Sequence, residues 1–171
     1  LFVIDSLGYL QVKDVIRRSG DRFMKPILEK FSPIPLTSTF PSTTATALTT
    51  LSTGRSPGEH AIIGTSMFIR EFGTVVNMLD FSPAVENRRD VLLEAGLDLQ
   101  AFLGHKTVYE MVKEMGVTSS ILIRRFHRNT GLSKMLNSDA NVICYMNSSD
   151  MIVTLRNILK TNREEEGYIF V

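Results

Sequence analysis

Several stretches of the chain are apolar almost throughout and rich in β-branched and aromatic residues. Such runs are typical of strands buried on both faces, as in a parallel sheet. Two further runs lie on either side of Gly73 and have the length and composition of a β-hairpin. The predicted parallel strands are 1–4, 119–123, 142–146 and 167–171, and the predicted hairpin strands are 67–72 and 74–79.

The segments between these runs have the patterns of helices. The stretch that begins at Thr44 is rich in Ala, Leu and Thr and stops at Gly54, a residue type that commonly ends helices. Ser148, Ser149 and Asp150 form a cluster of residues that favour helix N-caps. The predicted helices are 11–18, 21–31, 44–53, 107–115 and 148–160, and an extended segment is predicted at 33–39.

The alternation of strands with helices of 10–15 residues predicts an α/β fold. We expect a three-layer α/β/α sandwich with a mostly parallel sheet, in which the first strand is central and parallel to the strand at 119–123. A length of 171 residues and an apolar fraction of 43% fit a single domain. Because both ends are strand-like, whereas termini are usually polar, we expect residues 1–171 to be the N-terminal part of a longer domain.

Charge and composition narrow the classes of function. The formal net charge of +1 provides no broad basic field, so no binding to a nucleic-acid polymer is predicted. The longest apolar runs fall far short of the ~20 residues that a membrane span needs, so no span is predicted. Cys144 is the single cysteine, which excludes an internal disulfide. Composition therefore argues against polymer-binding, membrane-spanning and disulfide-rich proteins.

Polar residues follow or precede the predicted elements at two places where α/β sheets usually bind ligands. Asp5 comes directly after the first strand, and a carboxylate held there is a good ligand for a divalent cation. Ser42, Thr43 and Thr44 precede a helix, whose N-terminus favours an alkoxide or a phosphate. The alternative is structural: Asp5 as a turn or helix cap, and the hydroxyl of Thr44 as an N-cap.

The sequence lacks the motifs of several other classes of nucleotide-binding and hydrolytic proteins. The chain contains no P-loop, no dinucleotide-binding glycine motif and no G-x-S-x-G elbow. His60, His105 and His127 lack the spacing of a helical zinc site, so we expect them to be structural or exposed. The basic run 124–128 is a candidate for phosphate contact, although a solvated loop is the expected structure.

The segment 39–64, together with 3–8, resembles the type I phosphodiesterase/nucleotide pyrophosphatase family of the alkaline phosphatase superfamily. In that family a strand ends in an Asp, a nucleophilic Thr opens a helix that closes with Thr-Gly, and a Pro-x-x-His-Gly-Ile loop follows. The nucleophile lies ten residues before the glycine, which here is Gly54, and this spacing falls on Thr44. The same register puts His60 on the loop histidine and Thr65 on the position that contacts the substrate phosphate.

The resemblance implies an alkaline-phosphatase-like core and a metal-dependent hydrolase of phosphodiester or phosphoanhydride bonds. Thr44 would be the nucleophile and a metal ligand, Asp5 a metal ligand, and Thr65 a substrate-binding residue. Two divalent metal ions are implied, zinc first and manganese second, with further ligands beyond Val171. The implied partner is a small-molecule phosphodiester or nucleotide. The 171 residues would then be the N-terminal part of a catalytic domain and inactive by themselves.

The sequence departs from the family pattern at three positions. Ser6 and Ala61 stand where glycine is common, and Thr65 stands where many members have asparagine. Two alternatives therefore stay open: a non-catalytic or truncated α/β module of the same superfamily, and a related phosphatase or sulfatase. The sulfatase is less favoured because residues 44–48 lack the Pro-x-Arg pattern that follows a sulfatase nucleophile.

Overall fold

A computed structural model describes residues 3–4, 7–18, 34–161 and 166–171. The chain divides into two compact units, residues 3–38 in one and residues 1–2 with 39–171 in the other. In the smaller unit, helix α1 spans Tyr9–Arg18, which confirms the helix predicted at 11–18. The helix predicted at 21–31 lies outside the described residues.

The first strand stays a prediction. Leu1 and Phe2 lie outside the described residues, whereas Val3 and Ile4 are described and belong to no strand. Asp5, which would follow that strand, also lies outside the described residues. The central position of the first strand therefore stays a prediction as well.

The larger unit contains helices and strands in alternating order. Its described helices are α2 (Thr44–Thr53), α3 (Pro57–His60), α4 (Val91–Glu94), α5 (Leu99–Leu103), α6 (Val108–Glu114), α7 (Gly131–Leu136) and α8 (Ser148–Thr161). Its described strands are β1 (Ser66–Ile69), β2 (Thr74–Asn77), β3 (Ser82–Pro83), β4 (Thr118–Arg124), β5 (Asn141–Tyr145) and β6 (Gly167–Phe170). The described residues of this unit also form two 3₁₀ turns, Arg70–Phe72 and Arg125–His127. No described helix is long and apolar enough to cross a membrane.

Strands β4, β5 and β6 form a parallel sheet, which confirms three of the predicted strands. The order is β5-β4-β6, so β4 is central among the described strands. Ile121 and Leu122 of β4 are buried, as expected for a strand with neighbours on both sides. Arg124 pairs with Tyr145 at the last position of the β4–β5 ladder. Both residues therefore lie at the carboxyl end of the sheet. A parallel sheet whose strands alternate with helices is an α/β fold.

A second, antiparallel sheet has the order β1-β2-β3. The predicted hairpin is present, but its first strand ends at Ile69 and not at Phe72. The 3₁₀ turn takes the place of the last three predicted residues, because Gly73 adopts a left-handed φ of 61° and its N–H binds the Arg70 carbonyl at 3.1 Å. The second strand ends at Asn77, whose side-chain oxygen accepts the Leu79 N–H.

The main hydrophobic core lies between α2, α7 and the antiparallel sheet. Close approach of α7 requires a glycine at its first position, because a Cβ on Gly131 would be 2.9 Å from Cγ of Phe81. The Gly131 N–H also donates to Asp90 Oδ1 at 2.7 Å. The buried members of this core are Ala45, Ile62, Ile69, Val76, Met78, Phe81, Leu92, Leu103, Leu132, Met135 and Leu136.

Replacement of Gly131 by alanine should therefore destabilise the protein. The added methyl group would collide with Phe81 and with Leu93 Cδ1, also at 2.9 Å, and overpacking of this kind costs about 1–3 kcal/mol. Gly58→Ala is the matched control, because a Cβ there meets nothing within 4 Å. Urea denaturation gives both free energies of unfolding. Equal stability of the Gly131→Ala protein and the wild type would contradict the packing described here.

Candidate active site

Helix α2 begins at Thr44 because Thr43 has an extended backbone and supplies the cap. Pro41 lies three residues before the helix, and Thr39 Oγ1 donates to its carbonyl at 3.1 Å. Thr43 is the N-cap: its backbone is extended and its Oγ1 accepts the Thr46 N–H at 3.4 Å. The Oγ1 atoms of Thr43 and Thr46 are 2.8 Å apart, so the two side chains also bind each other. The expectation that Thr44 is the N-cap is thus wrong by one residue.

Thr44 is the first helical residue of α2, and its side chain is half-buried. The backbone N–H groups of a first helical turn have no partner within the helix and carry the positive end of its dipole. An anion, whether a phosphate or the alkoxide of a side chain, is stabilised in such a position. The location of Thr44 therefore suits a hydroxyl that must react with a phosphate.

The other buried threonines of α2 have structural partners. Thr49 Oγ1 donates to the Ala45 carbonyl and Thr53 Oγ1 to the Thr49 carbonyl, each at 2.7 Å. Because these hydroxyls are hydrogen-bonded along the helix, they can be buried at little cost in free energy. The helix ends at Gly54, whose N–H binds the Thr50 carbonyl at 2.8 Å. The helix can therefore be buried although it is rich in threonine, because these hydroxyls are hydrogen-bonded within it.

His60 connects α2 to the loop that follows α3. Its Nδ1 accepts the Ile62 N–H at 3.1 Å, so Nε2 carries the proton and donates to Thr50 Oγ1 at 3.0 Å. The residue is only 3% exposed, and burial lowers the pKa of its imidazole below the usual range. Both ring nitrogens are occupied, so His60 holds the loop in place and is not available as a metal ligand in this arrangement.

The backbone conformation at Ala61 shows why glycine is common at this position. Its φ is 58°, in the left-handed region that favours glycine, and its N–H binds the Pro57 carbonyl at 3.0 Å. The short helix before it is held by Glu59, whose carboxylate accepts the Ser56 N–H at 2.8 Å and the Ser56 hydroxyl at 2.7 Å. These hydrogen bonds lower the pKa of Glu59. The loop therefore has the shape of a glycine-containing loop, although alanine occupies the position.

The three predicted site residues are described to different extents. Thr44 begins α2, and Thr65 lies half-buried directly before β1, with its carbonyl accepting the Met78 N–H at 2.7 Å. Asp5 lies outside the described residues, so its predicted approach to Thr44 stays a prediction. Within the described ranges, no group of three or more His, Cys, Asp or Glu residues is arranged to hold a metal ion.

Comparison with known proteins decides the family. Residues 1–142 match the family model described as type I phosphodiesterase / nucleotide pyrophosphatase, which is most of the chain. The chain belongs to the type I phosphodiesterase/nucleotide pyrophosphatase family. No curated protein and no solved structure matches it. Membership confirms the resemblance found in the sequence and implies the alkaline-phosphatase-like fold, with which the described α/β architecture agrees.

Membership of this family indicates phosphodiesterase or pyrophosphatase activity. Enzymes of the family are generally metal-dependent. The match includes α2, the His60 loop and Thr65. Sequence reasoning did not find the hydrogen bond between Thr50 and His60. The nine residues between them gave no periodic signal, since the bond depends on how α3 folds back on α2.

The lowered pKa of His60 predicts a pH-dependent stability. The unfolded chain, with an imidazole pKa of about 6.5, binds a proton at a higher pH than the folded one. The contribution of neutral His60 is therefore fully present above this value and is lost as the pH falls below it. The free energy of unfolding, measured in urea at several pH values, should fall on acidification less steeply in His60→Gln than in the wild type. His127→Gln, at an exposed histidine, is the control. Identical pH profiles for wild type and His60→Gln would contradict the assignment.

Ala61→Gly should stabilise this family member. A non-glycine residue in the left-handed region costs roughly 1–2 kcal/mol, and glycine removes most of that strain. Thermal unfolding should show a higher melting temperature for the variant. The test needs a residue with ordinary backbone angles as its control, and Ala47→Gly inside α2 should destabilise by about 1 kcal/mol. A loss of stability in Ala61→Gly would contradict the strain described.

Proposed function

We propose that this protein is a metal-dependent hydrolase of phosphodiester or phosphoanhydride bonds in small molecules, with Thr44 as its nucleophile. The observation that carries the proposal is the position of Thr44 at the start of α2 within the segment that matches the family. Asp5 and Thr44 are proposed as metal ligands and Thr65 as a contact of the substrate phosphate. Nucleotides and aryl phosphodiesters are the proposed substrates.

The proposed reaction has two steps. Thr44 Oγ1 attacks phosphorus, a P–O bond to threonine forms, the bond to the leaving oxygen breaks, and the hydroxyl proton passes to the leaving group or to solvent. Water then attacks the phosphothreonyl ester and releases Thr44 with its proton restored. The first-turn N–H groups of α2 would stabilise negative charge on the non-bridging oxygens during both steps. This role needs a helix start that does not move, and the Thr43 cap supports it.

Metal dependence belongs to the same proposal. A divalent ion, zinc or manganese, would favour the alkoxide form of the Thr44 hydroxyl. The described residues alone do not form a site for it, since they contain no cluster of acidic, histidine or cysteine ligands. Asp5 and residues beyond Val171 are the proposed sources of the remaining donors.

Substitution of Thr44 in the natural protein tests the nucleophile. Thr44→Ala should abolish hydrolysis of bis(p-nitrophenyl) phosphate in the presence of zinc or manganese, because a bond-forming group is deleted. Thr44→Ser, which retains a hydroxyl, should keep measurable turnover. Chelation with EDTA should abolish wild-type activity, and either metal should restore it.

Thr43→Ala is the matched control for the test at Thr44. It removes the cap of the same helix and should cost about 1 kcal/mol of stability, yet it should retain metal-dependent turnover. Undiminished turnover by Thr44→Ala would refute the nucleophile assignment. A wild-type protein without metal-dependent turnover would favour the alternative of a non-catalytic α/β module.

A further inference from the structure

His60 joins helix α2 to the chain segment that leads into β1. We use the name His60 loop for residues 61–65, which connect α3 to β1. Nδ1 of His60 accepts the Ile62 N–H of this loop at 3.1 Å, and Nε2 donates to Thr50 Oγ1 of α2 at 3.0 Å. Because the two ring nitrogens bind groups on different elements, the imidazole fixes the loop against the helix.

The His60 loop has few other hydrogen bonds. Its first N–H, that of Ala61, binds back to α3 at 3.0 Å. At the far end, the Thr65 carbonyl accepts an N–H from the residue that follows β2, at 2.7 Å. Within the described chain, the N–H groups of residues 63–65 make no hydrogen bond. Between its two ends, the backbone of the loop is therefore held by the bond from Ile62 to His60.

The position of His60 itself is fixed from a third part of the chain. His105, in the connection between α5 and α6, donates from Nε2 to the Glu59 carbonyl at 3.1 Å. Glu59 directly precedes His60, and its carboxylate accepts the Ser56 N–H at the start of α3. A buried ring whose backbone is fixed and whose two nitrogens are both bonded keeps one orientation. His60 can therefore transmit the position of α2 to the loop.

The two elements that His60 joins contain the proposed site residues of the described chain. Thr44, the proposed nucleophile, begins α2. Thr65, the proposed contact of the substrate phosphate, is the last residue of the His60 loop. A hydroxyl that attacks phosphorus and a contact that holds the same phosphate need a constant separation. A link between the helix and the loop therefore affects how the substrate is held.

We propose that His60 is a positioning residue of the candidate active site, which keeps Thr65 at a fixed separation from Thr44. The inference rests on the function proposed above, since it requires Thr65 to bind the substrate phosphate. His60 itself makes no bond to the substrate and transfers no proton. Loss of His60 should weaken binding of the substrate and of the transition state alike, which raises KM and leaves kcat nearly unchanged.

Steady-state kinetics of the natural protein on bis(p-nitrophenyl) phosphate, with zinc or manganese present, test this role. His60→Leu removes both hydrogen bonds of the ring and should raise KM roughly tenfold, with kcat within about threefold of wild type. His60→Asn is the conservative variant, because its Oδ1 replaces Nδ1 as the acceptor of the Ile62 N–H in an Asx turn. This variant should restore KM to within about threefold of wild type.

Thr50→Val tests the other end of the link. It removes the hydroxyl that binds Nε2 of His60 and should raise KM roughly threefold. The double variant Thr50→Val/His60→Leu should have the KM of His60→Leu, because both changes break the same link. The matched control is Leu136→Val, which makes a buried core side chain smaller outside α2 and the His60 loop. Its KM should stay within about twofold of wild type.

Hydrogen exchange, measured by mass spectrometry, gives a readout that needs no turnover. Peptides that cover the His60 loop should exchange faster in His60→Leu than in wild type or His60→Asn, because a backbone hydrogen bond of the loop is lost. Peptides of α2 should exchange equally in all three proteins. If His60→Leu does not fold, Thr50→Val provides both the kinetic and the exchange readout.

Four results would overturn the positioning role. They are an unchanged KM in His60→Leu, a KM in His60→Asn as high as in His60→Leu, an equal rise of KM in Leu136→Val, and loop exchange in His60→Leu equal to that of wild type. Absence of turnover in the wild type would instead refute the function proposed above, and the exchange comparison would still test the link made by His60.

Discussion

The burial of a threonine-rich helix is the constraint on which the described structure depends. Ala45, Thr46, Thr49 and Thr53 of α2 are at most 1% exposed, and a buried hydroxyl without a hydrogen-bond partner costs free energy. Bonds along the helix and the pair formed with Thr43 meet this requirement. Because the body of α2 is fixed in the core, its first residue, Thr44, has a fixed position as well. The buried body of α2 and the Thr43 cap together fix the start of this helix.

The loop between α2 and Thr65 is also held by hydrogen bonds. His60 is buried in its neutral form and joins Thr50 to the backbone of Ile62, so the chain that leaves the helix is held at its midpoint. The left-handed turn at Ala61 follows, and Ile62 enters the main core. The proposed contact with the substrate phosphate, Thr65, lies shortly after this loop. The histidine therefore contributes to the candidate site through the backbone that it holds.

The sequence predicted those parts of the fold whose signals are local. Apolar β-branched runs gave the strands of the parallel sheet, and Thr107 with Glu110 forms the capping box at the start of α6. The sequence did not predict the short helices α4, α5 and α7, because four to six residues give too few turns for a periodic pattern. The 3₁₀ turn after Ile69 depends on the backbone of Gly73, which apolar patterning does not register. Motif spacing identified Thr44 as the candidate nucleophile. It could not tell whether Thr43 or Thr44 caps the helix, because both side chains carry the hydroxyl that a helix N-cap needs.

The central claim is that Thr44 forms a covalent bond to the phosphorus of the substrate. The most direct measurement is mass spectrometry of the natural protein, quenched in acid during turnover of an aryl phosphodiester and then digested. The peptide that contains Thr44 should carry the mass of the transferred phosphoryl ester, and fragmentation should locate it on that residue among the neighbouring threonines. An adduct on another residue, or rapid turnover with no adduct on any peptide across quench times, would contradict the account.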